Sequence, residues 1–359
     1  GDATFNFGGG LLRAGAGGDA NFMSGLNLVT IANTDAKIDS NGGSIRVAQN
    51  LEGTGTGGLV KSGTGTLYLD GVNTYTGATS VTAGALGGVG QVAGSVVMSP
   101  NTTLAPGSTT GRFTVMDDVT FAANTTFAVT VNDANPAPVS ELEVIDQLNL
   151  TGASLTVTGT MTQPIYIIAS YNTRVGNFTS VPNLGTYQLD YNYQGSNRIA
   201  IWRDPTPFEN WIQTFYPDQT DPAIVGAAAD PDGDGSENSL EYALGGKPDN
   251  GSDNPKVYHL AADGTDAGTA KELLMTIAVL NGTNFSTAAS PVATQNGMTY
   301  TIQGSTDLSG FLTGATAVTP AVTTGMPTSP PTGYVYRTFS LTGSDGLPSK
   351  GFLRVNVTP

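Results

Sequence analysis

The chain has 359 residues, including 48 glycines and no cysteine, and its 14 basic and 29 acidic side chains give a formal net charge of −15. The lack of cysteine excludes disulfides and thiolate metal sites, and the negative charge disfavours nucleic acids and anionic membranes as partners. Because no run of about 18 apolar residues occurs, we expect no membrane insertion as a helix. The N-terminal GDATFNFGGG lacks the features of a signal peptide, so we expect a processed chain or a fragment.

Residues 1 to about 160 consist of short runs in which apolar and polar residues alternate, separated by turns rich in Gly and Asn. TFNF, TLYL, RFTV and SLTV are examples. Alternation over so few residues predicts short strands with one buried face. A sandwich and a solenoid both fit this pattern, but the runs recur at intervals near twenty residues. That spacing favours the rungs of a right-handed β-solenoid (β-helix).

One rung, residues 57–86, has the sequence GGLVKSGTGTLYLDGVNTYTGATSVTAGAL. It resembles the passenger-associated repeat of bacterial autotransporters. The resemblance implies a β-solenoid exposed at the cell surface or outside the cell. The matching positions are Leu59, Lys61, Gly63, Gly65, Thr66, Leu67, Leu69, Gly71, Asn73, Thr74, Tyr75, Thr76, Gly77, Thr79, Val81, Gly84 and Leu86.

The resemblance covers roughly the first 203 residues and implies a solenoid at 1–163 with a cap at 164–203. Three tyrosines alternate near the end of the cap; they could form a binding cluster, but we interpret them as cap packing: Tyr187, Tyr191 and Tyr193. After Trp202 come Pro-rich RDPTP and a helix, whereas an autotransporter continues into a membrane barrel. We therefore expect a module shared by large surface proteins, without self-secretion.

The next segment, FENWIQTFY, has the spacing of an amphipathic helix that ends before Pro217. We predict that it docks against a neighbouring domain, and we place it in a linker at 204–255 that also holds an acidic loop. Its apolar positions are Phe208, Trp211, Ile212 and Phe215.

Residues 256–359 return to strand-like runs. YTIQGSTDL and GFLRVNV in this part resemble the small C-terminal β-domain of other bacterial surface proteins. We predict a sandwich-like β-domain here, after the helical calcium-loop segment.

The acidic loop lies in ADPDGDGSENSLEYALGG, residues 229–246, in a chain with only 12% charged residues. The pattern D-x-D-x-D-G-x₅-E is that of an EF-hand loop, which offers Ca²⁺ about six to eight oxygens from a tight turn. We predict a helix from Ser236 to Leu244, stopped by Gly245. The predicted Ca²⁺ ligands are Asp230, Asp232, Asp234, Ser236 through its carbonyl, Asn238 and Glu241.

Several roles fit an acidic loop of this kind. It resembles dockerin loops and the Asp-rich repeats of thrombospondin-like modules, and Asp-Gly runs also form ordinary turns. A calcium switch needs a paired hand and a dockerin needs two loops, whereas this sequence has one loop preceded by a Pro-broken segment. We therefore predict a calcium ion with a purely structural role.

Enzymatic function has little support in the sequence. Some right-handed solenoids are polysaccharide lyases, which need convergent carboxylates and a base. The solenoid has one adjacent acidic pair, Asp117 and Asp118, and neighbours on a strand point to opposite faces, so we favour a solvated turn. The single histidine, His259, has no second His or Cys to form a transition-metal site, and we assign it to packing or surface. We predict no catalytic residues and no enzyme activity.

Two non-enzymatic functions remain. The first is a structural subunit of an extracellular or cell-surface filament or sheath, rigidified by calcium, that assembles head-to-tail with copies of itself. ATFNFGGGLLRA would expose the open edge of a first rung to the next copy. The alternative is a stalk-like adhesin that binds glycan or a surface. A polysaccharide lyase is the least favoured interpretation.

Overall fold

The structure is a computed structural model that describes residues 2–107, 109–135, 137–217, 219, 221–263, 271–308, 310–341 and 350–359. The chain divides into two compact units, one up to Asp204 and one from Pro205 onwards. Parts of the predicted C-terminal domain, 264–270 and 342–349, lie outside the described residues. Within the described part of the chain, no helix has both the length and the apolar character needed to cross a membrane.

The first unit is built from short strands, as the alternating runs predicted, and a 3₁₀ helix at Tyr193–Gly195. The strands are β1 Thr4–Phe7, β2 Leu11–Arg13, β3 Asp19–Met23, β4 Leu28–Ile31, β5 Ala36–Asp39, β6 Ile45–Val47, β7 Glu52–Gly53, β8 Leu59–Ser62, β9 Thr66–Leu69, β10 Val72–Asn73, β11 Thr79–Val81, β12 Ala85–Gly88, β13 Gln91–Val92, β14 Val96–Met98, β15 Thr103–Pro106, β16 Gly111–Val115, β17 Val119–Phe121, β18 Thr125–Thr130, β19 Ser140–Val144, β20 Gln147–Asn149, β21 Ala153–Thr158, β22 Ile165–Ser170, β23 Thr173–Val175, β24 Gln188–Asp190 and β25 Arg198–Trp202.

These strands form stacked, largely parallel sheets. Every third strand along the chain enters the same sheet, as in the eight-stranded order β2-β5-β8-β11-β14-β17-β20-β23. The other orders are β21-β18-β15-β12-β9-β6-β3, β1-β4-β7 and β10-β13-β16-β19-β22-β25-β24. Stacked parallel sheets of this kind fit the predicted β-solenoid, and the predicted right hand stays a prediction.

The coils are less uniform than the expected spacing near twenty residues. Thr79 lies opposite Val96, 17 residues away, whereas Val119 lies opposite Leu148, 29 residues away. The longest coil contains an extra loop whose ends, Val131 and Val139, bridge each other. The extra residues lie in a connecting loop, and loops tolerate insertions because they run over the protein surface.

Two antiparallel strands close one end of the solenoid. β25 pairs with β22 and with β24 in antiparallel register. The Phe178 ring lies between those of Phe127 and Tyr191, with centroid distances of 5.8 and 5.9 Å. The Tyr187 hydroxyl donates to the carbonyl of Gln163 at 2.9 Å. These contacts agree with cap packing for Tyr187 and Tyr191.

In its described residues, the second unit contains three short helices and two antiparallel sheets. The sheet orders are β26-β27-β31-β30 and β28-β29-β32, and residues of both sheets share one apolar core. The elements are α1 Pro207–Gln213, α2 Pro222–Val225, α3 Asn238–Leu244, β26 Val257–Asp263, β27 Lys271–Leu280, β28 Val292–Gln295, β29 Met298–Ser305, β30 Ala315–Val318, β31 Tyr334–Leu341 and β32 Phe352–Thr358.

The segment 204–255, expected as a linker, lies from Pro205 onwards inside this second compact unit. Tyr242, Ala243 and Leu244 of α3 are buried in the same core as the two sheets. The sandwich-like class of the unit and the four-part division of the chain stay predictions.

Candidate functional site

Helix α3 holds the acidic loop against the core of the second unit. Its Tyr242 ring packs against Phe208 and Trp211 of α1, at centroid distances of 5.6 and 5.2 Å. Hydroxyl groups from both sheets reach its last turn: Tyr300 donates to the Ala243 carbonyl at 2.9 Å and Tyr334 to the Tyr242 carbonyl at 2.7 Å. These bonds satisfy carbonyl groups that a helix end leaves without intrahelical partners.

The ends of α3 agree in part with the sequence prediction. Gly245 follows the helix with φ of +72°, a left-handed conformation that suits glycine and stops the helix there as predicted. The helix begins at Asn238, two residues later than predicted. Glu237 is extended, and the Ser236 amide is held by the Asp234 carboxylate at 2.7 Å instead of joining the helix.

Hydrogen bonds from backbone amides to aspartate carboxylates of the same loop hold the acidic loop in its turn. The Asp230 carboxylate accepts hydrogen bonds from the amides of Gly233 at 2.9 Å and Gly235 at 3.0 Å. Both glycines have positive φ, near +74° and +89°, so the tight turn depends on them. Asp232 likewise accepts from the Asp234 amide at 3.2 Å.

This turn brings three acidic side chains together. One carboxylate oxygen each from Asp230, Asp232 and Asp234 lies within 4.8 Å of the others. One oxygen of Asp232 and one of Asp234 are buried without a hydrogen-bond partner. Like charges this close repel one another unless a proton or a cation lies between them.

Glu241 adds a fourth carboxylate from α3. Its side chain is completely buried and neither carboxylate oxygen has a hydrogen-bond partner. Gly246 packs so closely against it that a Cβ there would lie 2.9 Å from Oε1. Burial, followed by repulsion from Asp232 and Asp234, raises the pKa of Glu241 to about 8.

Asn238 has two roles at this site. Its side-chain amide donates to the carbonyls of Ile224 at 2.8 Å and Gly226 at 2.9 Å, which ties the preceding segment to α3. Its Oδ1 is buried without a partner. Together with the oxygens of Asp232, Asp234 and Glu241, it makes five buried oxygens that lack a donor. A hard cation that prefers oxygen ligands suits such a set.

The six residues predicted as ligands therefore differ in position. Asp230, Asp232 and Asp234 are gathered, while Glu241 and Asn238 contribute buried oxygens from the helix. Ser236 lies next to them, with its amide bonded to Asp234. Sequence reasoning missed the tyrosines at 300 and 334 that fix the helix, because no local pattern links them to residues 242 and 243.

The solenoid repeat contains the second group of residues that the sequence indicated, and Lys61 is one of them. Lys61 projects inward, in the column between Ile38 and Val81 on the neighbouring rungs, and is fully buried. Its ammonium donates to the carbonyls of Ser62 at 2.8 Å, Gly63 at 2.7 Å and Ala83 at 3.0 Å. All three donors of the ammonium are therefore used on corner carbonyls.

Other polar positions of the repeat are also used by the fold. The Asn73 amide group donates to the carbonyls of Gly71 and Gln91, and its oxygen accepts from the Leu51 amide at 3.1 Å, which links consecutive coils. The buried Tyr75 hydroxyl lies 2.7 Å from Thr79 Oγ1. At several glycines of the repeat, the backbone of a neighbouring coil lies too close to leave room for a side chain.

Residues 59–86 match the passenger-associated-transport-repeat family. The match supports the autotransporter-type repeat predicted from the sequence, and a repeat of this kind indicates a cell-surface or extracellular protein. No curated protein matches the chain.

The acidic pair of the solenoid needs a correction. Asp117 and Asp118 lie in the bend between β16 and β17, so the argument from opposite faces of a strand does not apply. Their carboxylates and that of Asp146 approach within 4.8 Å of one another at the surface. Asp118 accepts a hydrogen bond from the Gln147 amide at 3.0 Å, as expected for a turn. His259 is exposed, with Nε2 3.1 Å from the Leu353 carbonyl oxygen.

Proposed function

We propose that this chain is a calcium-stabilised, non-enzymatic structural protein of the cell surface or the extracellular space. The solenoid supplies a stiff scaffold, and a calcium ion held by the acidic loop stabilises the second unit. The observation that carries the surface role is the match of residues 59–86 to the passenger-associated-transport repeat.

The non-enzymatic part of the proposal is supported by the way the repeat uses its polar groups. Lys61, Asn73 and Tyr75 bond to groups inside the coil and are buried. A side chain whose donors are all occupied within the fold has none left to bind or protonate a substrate. The solenoid fold alone does not indicate whether the chain is an enzyme, because proteins with this fold have many functions.

The calcium part of the proposal is supported by the five buried oxygens without donors around Asp232, Asp234, Asn238 and Glu241. A buried carboxylate without hydrogen-bond partners lowers the stability of the fold far more than an exposed one. A divalent cation bound between such carboxylates would restore that free energy. Asp230, Asp232, Asp234, Ser236, Asn238 and Glu241 would hold the ion. Because α3 belongs to the core, ion binding would contribute directly to the folding of the unit.

Surface labelling tests the location. Intact cells that produce the protein are treated with an antibody against the chain, beside an antibody against a cytoplasmic protein as the control. We expect labelling of intact cells for this chain and labelling only after lysis for the control. Equal dependence of both on lysis would contradict the surface role.

Two surface roles fit this proposal. The passenger-type repeat is consistent with the stalk-like adhesin, while head-to-tail assembly into a filament stays a prediction. Sedimentation velocity of the full chain with calcium distinguishes the two roles. Filament subunits form assemblies whose sedimentation coefficient increases with protein concentration, whereas a stalk stays monomeric.

A further inference from the structure

The second unit contains a groove of about 530 Å³ that the calcium proposal does not use. This is within the size range of small-molecule sites, about 300 to 1,000 Å³. Its lining includes Gly245, Gly246 and Lys247, which directly follow α3, and the segment around Pro330 and Pro331.

Aromatic rings line much of the groove. Five aromatic residues from α1, β26, β31 and the turn after α1 line it: Trp211, Phe215, Tyr258, Tyr334 and Tyr336. Several are held by fixed contacts, including the edge-to-face pairs Trp211–Phe215 at 5.1 Å and Tyr258–Tyr336 at 6.2 Å. Rings fixed in this way offer flat apolar surfaces at little entropic cost.

The rim of the groove is charged but balanced. Asp253 forms ion pairs with Lys247, at 2.9 Å, and with Lys256. Asp249 adds a second negative charge near Lys247. A charged ligand would have to break these pairs, and a wholly apolar ligand would take them out of water without replacing the lost hydrogen bonds.

We propose that this groove binds a neutral oligosaccharide. Such a ligand presents C–H faces to the aromatic rings and hydroxyl groups, each both donor and acceptor, to the ammonium groups and carboxylate of Lys247, Lys256 and Asp253. This gives the adhesin alternative a site. The test below keeps the calcium concentration constant, so its outcome does not depend on the calcium proposal.

Trp211 provides the signal for the test. The chain has two tryptophans, Trp202 and Trp211, so Trp202→Phe leaves the groove residue as the only indole. This full-length variant is titrated in constant calcium with hexasaccharides of glucose, mannose and N-acetylglucosamine and, in parallel, with a proline-rich peptide. We expect a saturable change in Trp211 emission with at least one of them. In the same background, Lys256→Met and Lys247→Met should each weaken binding about tenfold through the loss of a charge-assisted hydrogen bond.

Lys271→Met, at an exposed lysine that does not line the groove, is the matched control and should leave binding unchanged. Melting curves confirm that every variant is folded. No saturable change with any hexasaccharide, saturation only with a proline-rich peptide, or unchanged binding in both lysine variants of the rim would overturn the proposal. Failure here leaves surface labelling and calcium binding unaffected, so it is distinguishable from failure of the proposed function.

Discussion

Lys61 is the residue whose burial is hardest to explain by hydrophobicity alone. It stands in an inward column of apolar side chains, and its ammonium bonds three carbonyls of two successive corners. We predict that Lys61→Met destabilises the solenoid by about 2 kcal/mol, because buried carbonyls lose their donor. Urea unfolding of the full chain measures the change.

The matched control is Lys37→Met. Lys37 lies on the same sheet but points outward and is exposed. We expect its substitution to change the free energy of unfolding by no more than about 0.5 kcal/mol. Equal effects of the two substitutions, or a gain in stability for Lys61→Met, would show that the corner bonds contribute nothing.

The same side chain predicts a pH dependence. Burial lowers the pKa of Lys61 to about 8, against an opposing attraction from Asp39. Between that value and the unfolded value near 10.4, the unfolded state binds more protons, so this lysine's contribution to stability rises with pH. The difference in unfolding free energy between wild type and Lys61→Met should increase by about 1.5 kcal/mol from pH 8 to 9.5. A flat difference would contradict the buried ammonium.

At this scale the sequence predicted which residues matter but not all of what they do. Lys61 and Asn73 were identified by resemblance, and their carbonyl and amide partners lie on coils that only the fold brings together. Tyr187 and Tyr191 were interpreted as cap packing, and the cap contains their contacts. The strand argument for Asp117 and Asp118 was wrong, because alternation holds only inside a strand.

Among the elements, the turn between β8 and β9 shows why glycine is needed at fixed positions. A Cβ on Gly65 would lie 1.8 Å from the carbonyl oxygen of Gly43 on the preceding coil. We predict that Gly65→Ala destabilises the solenoid by about 3 kcal/mol or more, since backbone has to move. Gly10→Ala, where a Cβ meets nothing within 4 Å, is the control and should be nearly neutral. Chemical denaturation compares them, and an equal response of both variants would contradict close coil stacking at Gly65.

Elements defined by local pattern were predictable, and elements defined by distant partners were not. Short strands follow from alternation, and the end of α3 follows from Gly245. The place of α3 in the core does not, because its carbonyls are held by Tyr300 and Tyr334, about 60 and 90 residues further along the chain. The uneven length of the coils could not be predicted from the sequence either, because loops at the corners accept insertions without changing the strand pattern.

At the scale of the whole molecule, the proposal joins a surface-type solenoid to a unit that needs calcium. Extracellular modules bind Ca²⁺ at about 10⁻⁴ to 10⁻³ M, which suits the calcium concentrations found outside cells. At a tenfold excess over Kd, which is about 1 mM calcium for the tighter of these affinities, binding stabilises a fold by about 1.4 kcal/mol. The proposed calcium site and the proposed surface location are therefore compatible with each other.

Calorimetric titration of the full chain with Ca²⁺, paired with melting in calcium and in EDTA, tests this most directly. We predict one ion per chain in that affinity range and a lower melting temperature of the second unit in EDTA. Asp232→Ala and Glu241→Ala should abolish binding, and so should Glu241→Gln, which keeps the shape but removes the charge. Glu237→Gln, at the exposed residue immediately before α3, should bind like wild type. No calcium heat at millimolar concentration, an unchanged melt in EDTA, or full binding by Glu241→Gln would contradict the account.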